Sequence, residues 1–159
     1  MLRISKITDY GTLVLVHLAN RQGSLPCPAK EVAAGTHLSL PVTQKVLKIL
    51  ARGGLVTSSR GAEGGYKLAK PADAISAADI LDVLEGPVAI TECSHDDGQC
   101  QLESNCQVGD AWQKISLAIR SALHEIRLSD LHSPPHEFPL RHTILAASGY
   151  SERASKLPQ

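Results

Sequence analysis

Between residues 41 and 52 apolar and polar positions recur with the spacing of a helix. Val42, Val46, Leu47, Ile49 and Leu50 form one stripe and leave Thr43, Gln44, Lys45, Lys48 and Arg52 toward solvent. Ser39 is placed to cap this helix and Pro41 suits an early helical position, while Gly53 and Gly54 stop it. A shorter helix precedes it, Lys30 to Gly35, closed by its glycine and followed by a turn over HLSL. Upstream, residues 4–20 carry Ile7, Leu13, Val14, Val16, His17 and Leu18, dense enough for a largely buried helix that ends at Asn20, Arg21 and Gly23. Cys27 stands between two prolines, where neither a helix nor a strand interior can run, and reads as a loop cysteine outside any cluster.

Downstream of Gly54 the period changes. Leu55–Ser59 and Tyr66–Ala69 are short alternating runs around a glycine-rich turn, Gly61 to Gly65, and predict a β-hairpin. Residues 75–86 predict the best-marked helix: Ser76 as N-cap, Asp79 three residues on to close a capping box, Ile75 and Ile80 at staple positions, and Gly86 at the end. An extended VAIT stretch leads into a cysteine loop at 91–110. Residues 108–131 then predict a long helix with Trp112, Ile115, Ile119, Ala122, Leu123 and Ile126 at steps of three and four, the seam of a two-helix contact. At roughly 35 Å its length exceeds what the small acidic half can cover, so a second subunit is expected along it. Residues 132–159, opened by prolines and without sustained period, read as a flexible tail.

Composition sharpens this into a mainly α protein with a small β-hairpin. Aromatics are only 3% of the 159 residues, so the core is built from Leu, Ile, Val and Ala. No segment reaches the roughly eighteen apolar residues that span a bilayer, and the N-terminus lacks a cleavable leader, so a cytoplasmic protein is expected.

The formal net charge of zero hides a division. Residues 1–72 hold ten Lys/Arg against three acids, a balance of +7, and residues 73–159 hold six against thirteen, a balance of −7. A basic unit carrying a short helix, a turn and a longer helix with a basic, amide-bearing face is a helix-turn-helix arrangement, with double-stranded DNA as its ligand. The hairpin behind it is a wing, and Arg60, Lys67 and Lys70 are placed to meet phosphates. Ser39, Thr43 and Gln44 are the candidate contacts at the start of the reading helix, with Lys45 and Lys48 as phosphate partners. No Ser/His/Asp set in a plausible context, P-loop or dinucleotide fingerprint argues for catalysis. A ferredoxin-type electron carrier would have no use for the basic front half.

The remaining chemistry lies at 91–110, which holds Cys93, Cys100 and Cys106, five acids and no Lys or Arg. Thiolates and carboxylates in one loop repel, and a bound cation relieves that repulsion. The spacing admits an iron-sulfur cluster, which tolerates wide gaps and a non-cysteine ligand, but also a structural zinc, a disulfide with one thiol left over, or plain buried cysteines.

Taken together, MLRISKITDYG, LSLPVTQKVLKILARGGLV, RGAEGGYKLAKP, ISAADILDVLEG and the three-cysteine loop resemble the Rrf2 family of winged helix-turn-helix regulators over residues 1–131. The opening and the cysteine spacing are most similar to regulators of the Suf iron-sulfur assembly operon. The resemblance implies a homodimeric repressor of iron-sulfur assembly genes, with Cys93, Cys100 and Cys106 holding a 2Fe-2S cluster at the dimer flank. It also admits a nitric-oxide-sensing repressor, or a cluster-free member governed by a protein or thiol partner. Two departures stand out. Ala62 and Glu63 replace the Pro and Gly common in the wing, and Gly109 replaces the histidine that completes the cluster in iron-sulfur members. Asp9, which matches an aspartate lent across the dimer in nitric-oxide sensors, and then His95 are the candidates for a fourth ligand.

Overall fold

The computed structural model describes residues 4–131 apart from 22, 24, 62, 88, 89, 92–105 and 107. Its described residues are mostly helical with one two-stranded antiparallel hairpin, as the patterning predicts. Helix α1, Lys6–Ala19, turns Val14, Leu15 and Leu18 inward. Leu13 departs from the expected pattern: it lies on the outer face and is 47% exposed. Helix α2, Ala29–Thr36, is not closed by Gly35. His37 ends it in the left-handed conformation, φ 56°, while Gly35 stays helical against the His17 ring of α1, which a β-carbon there would overlap.

Helix α3, Leu40–Arg52, lies across both with Val46, Leu47 and Leu50 wholly removed from solvent. Each such side chain contributes about 1.5–3 kcal/mol of transfer free energy, so this stripe anchors the helix. Strand β1, Val56–Ser59, then pairs antiparallel with β2, Gly65–Leu68, Val56 opposite Leu68 and Ser59 opposite Gly65. Cys27 is not a bystander to this hairpin. It is 1% exposed and exchanges both backbone bonds with Tyr66, N–H to carbonyl at 2.8 and 2.9 Å. Its flanking prolines permit this because an isolated bridge uses only the N–H and C=O of Cys27 itself.

After a 3-10 turn at Ala72–Ala74, helix α4, Ala77–Leu84, opens on the predicted capping box. Ser76 Oγ accepts the Asp79 N–H at 3.1 Å, and Asp79 Oδ2 accepts the Ser76 N–H at 2.8 Å. Ile75 and Ile80 enter the same core as α1 and α3.

The expected helix over 108–131 is broken. Helix α5 covers Gly109–Glu125, about 25 Å, and the chain then leaves helical geometry before α6, Leu128–Leu131. The cause is a backbone exchange with the start of α4. The Ile126 carbonyl accepts the Ala77 N–H and the Ile75 carbonyl accepts the Leu128 N–H, both at 2.8 Å, so that Leu128 sits fully buried. Residues 126–131 therefore complete the core of the chain itself. No helix among the described residues is long and apolar enough to cross a membrane. The expected tail at 132–159, the first half of the VAIT stretch and most of the cysteine loop lie outside the described residues.

Candidate nucleic-acid interface

The outward face of α3 is an open concavity lined by Pro41, Gln44, Lys45, Lys48, Ile49 and Arg52. Steps of three and four put these side chains on one side because the buried stripe takes the other. Gln44, Lys45, Lys48 and Arg52 are all exposed. Two ion pairs occur among the described residues, Arg21–Glu31 and Arg120–Asp82, and neither engages a cation of this face. Four donor-rich side chains thus stand ready for an anionic or hydrogen-bonding ligand.

Thr43 does not belong with them. It is 0% exposed and its hydroxyl donates to the Ser39 carbonyl at 3.1 Å, so the expectation that it faces solvent and touches DNA is corrected. The reason is geometric: position 43 lies three and four residues before Val46 and Leu47 and so shares their inward face. Ser39 stands at the N-cap with extended backbone but forms no cap bond, and its residue is exposed. The first N–H groups of α3, which have no intrahelical acceptor, are left beside it.

The hairpin follows α3 through Gly53 and Gly54 and packs against it. Arg60, just beyond β1, and Lys67 on β2 are exposed, as is Lys70. Glu63 is exposed in the turn between the strands and sets a negative charge near Arg60 in the chain. Pro41, Ile49 and Arg52 are the members of the concavity absent from the sequence-predicted contacts, and Ile49 leaves the buried stripe in which the periodicity places it. Arg52 was legible as a site residue from its position four after Lys48.

Of the cysteine site the described residues include Cys106 alone; Cys93, Cys100 and His95 lie outside them. Cys106 is a half-buried free thiol whose sulfur lies by Gly109, in the first turn of α5. Gly109 itself offers no side-chain ligand. Asp9 is exposed in the first turn of α1. Cys27 is a different kind of thiol: burial pushes its pKa up, with the Glu31 carboxylate adding and Arg21 opposing, which suits a packed, unreactive side chain.

A helix-turn-helix with a free basic reading face and a hairpin packed behind it defines a winged helix-turn-helix, DNA-binding transcriptional regulator. The chain belongs to the Rrf2 family: the family model, described as an iron-dependent transcriptional regulator, matches residues 4–134. The HTH-type transcriptional regulator CymR of Bacillus subtilis is 35% identical over 132 residues, which cover 83% of this chain and 91% of that protein. Its solved structure, described as that of the global cysteine regulator of B. subtilis, matches with TM-score 0.64 and 36% identity, covering 83% and 97%. The structure of T. potens IscR matches with TM-score 0.61 and 31% identity over 82% and 85%.

Proposed function

We propose that this regulator works as a homodimer joined through α5, reads operator DNA with α3 and the hairpin, and couples that reading to a 2Fe-2S cluster held by Cys93, Cys100 and Cys106. On this reading it represses genes of iron-sulfur cluster assembly. The observation that carries the DNA part is the unpaired set Gln44, Lys45, Lys48 and Arg52 on one concave face. Gln44 is suited to a base edge, Ser39 and the open first turn of α3 to a phosphate, and Lys45, Lys48, Arg60 and Lys67 to the backbone on either side.

The donor set suits an iron-sulfur group. Cys106 has a free, half-buried sulfur at the opening of α5, and soft thiolates favour iron-sulfur clusters. When bound, the cluster supplies an occupancy that follows iron and redox supply. Everything else falls to the chain: Cys106 sits at the root of α5, and α5 carries the exposed seam side chains Trp112 and Ile115 that a second copy would cover. An exposed Asp9 on α1 is free to serve that second copy as an oxygen ligand.

The 35% identity to a cysteine regulator favours a second reading, in which the DNA reader is kept and a protein or thiol partner replaces the cluster. Anaerobic absorption spectra with iron and sulfide counts, on wild type and Cys100→Ala, separate the two. A coloured, iron-bearing wild type whose operator affinity changes on iron removal supports the first. Colourless protein after reconstitution, or equal affinity with and without iron, ends it and leaves the second.

A further inference from the structure

Four consecutive residues at the end of α4 engage three neighbours between them, α5, α3 and, through the last two, α1. Asp82 receives a forked ion pair from Arg120 of α5, 3.0 Å from Nη1 to Oδ1 and 2.6 Å from Nη2 to Oδ2. Val83 lies against Gly53, the C-cap of α3, so closely that a β-carbon at Gly53 would overlap its methyls. Leu84 occupies the corresponding space at Gly11 of α1. Glu85 Oε1 accepts the Ser5 N–H at 2.9 Å and the Thr8 hydroxyl, capping the first turn of α1 from 80 residues away. Ser5 itself gives that helix no side-chain cap bond. Just beyond, the Ile90 N–H donates to Ser116 Oγ of α5 at 3.3 Å.

We infer that residues 82–85 are a junction that positions the recognition helix against α5, and that Asp82, Val83 and Glu85 are its positioning residues. The two glycine contacts have no slack, since interiors pack densely enough that a shift of a fraction of an ångström produces overlap or a void. The forked ion pair and the cap are directional and fix rotation as well as distance. A displacement of α5 or of the segment after Gly86 therefore moves the end of α3 and the start of α1 together. That the cysteine stretch supplies such a displacement rests on the cluster reading above; the positioning role does not.

Hydrogen exchange by mass spectrometry on the full-length protein, kept anaerobic, tests the junction through Asp82→Asn and Glu85→Ala. Exchange over residues 49–54 should rise by about ten-fold while the α2 segment, residues 29–37, stays at its wild-type rate. No change at 49–54, or equal acceleration everywhere, overturns the proposal. In a second arm, a duplex selected from a random pool by the wild-type protein is titrated before and after iron is removed by a chelator. The ratio of the two affinities, expected at about five-fold or more for wild type, should approach one in both variants. A ratio of one in wild type refutes the cluster reading, and the exchange arm still decides the junction. A wild-type ratio retained in the variants refutes the junction while the cluster reading stands. Gly53→Ala should lower affinity for the selected duplex, and Val83→Ala in the same chain should restore it; no restoration counts against the contact as the positioning element.

Discussion

Helices α3 and α5 are both amphipathic, but only one of them has its apolar side covered. In α3, Val46, Leu47 and Leu50 are wholly buried and the outer face is polar and unpaired. In α5 only Gly109 and Ser116 are buried, and Trp112 and Ile115, on one side of the helix, remain 40% and 42% exposed. Their charges differ in the same sense, since Arg120 of α5 is committed to Asp82 whereas Lys45, Lys48 and Arg52 of α3 enter no ion pair found among the described residues. A helix that is finished on its apolar side is free to present a polar face to a ligand. One that leaves its apolar side open needs that side covered, and the proposed cover is the same helix of a second copy.

The largest expected effect breaks this contrast directly. Leu47→Ala should lower stability by about 2–5 kcal/mol in urea unfolding, whereas Ile115→Ala, assayed where the protein is dilute enough to be monomeric, should change it by less than about 0.5 kcal/mol. Equal losses would mean that α5 is as integrated as α3 and would remove the argument for a second copy.

A smaller effect sharpens the reading face. Gln44→Ala should cost about 1–3 kcal/mol on the selected duplex and much less on unrelated duplexes. Lys45→Ala should instead weaken all duplexes alike and reduce the slope of log affinity against log salt by about 0.9. An unchanged slope would place Lys45 off the phosphate backbone.

The smallest effect concerns the cap that starts α4. Burial alone would raise the Asp79 carboxyl. The Ser76 N–H and hydroxyl, helped by His124 and Lys70, outweigh it and hold the group below its usual range. Glu85 is likewise held low, by the Ser5 N–H and the Thr8 hydroxyl. For a depressed carboxylate the stabilisation is complete above its unfolded pKa, about 4, and disappears as pH falls through the lower folded value. Asp79→Ala should cost about 1 kcal/mol at neutral pH and flatten the acid limb of the urea midpoint against pH. Parallel limbs for wild type and variant would show that Asp79 contributes nothing through its charge.

Much of this was readable along the chain. The Ser76–Asp79 box, the Val46, Leu47 and Leu50 stripe of α3 and the hairpin around Gly61–Gly65 all rest on residues close together in the chain, and the family resemblance on several such short segments. The failures have a common origin. Thr43 was placed outside because it is polar, whereas its position relative to Val46 and Leu47 decided its face. Gly35 has the residue type of a helix stop, but it serves the approach of His17 and the stop is His37. Cys27 was set aside because of its prolines, whereas Tyr66 supplied it with a partner in the sheet.

The amino-acid order by itself determined where helices start, which stripe of each is apolar and where a basic unit gives way to an acidic one. Those properties depend on capping, on the three-to-four-residue period and on charge, all of which act over short stretches. Tertiary structure alone decided that the last helix breaks at residues 126–127 and that Glu85 caps a helix 80 residues behind it. Each of these depends on a hydrogen bond or a packed contact between segments far apart in the chain. The free energy of such contacts exists only once the intervening loops have closed.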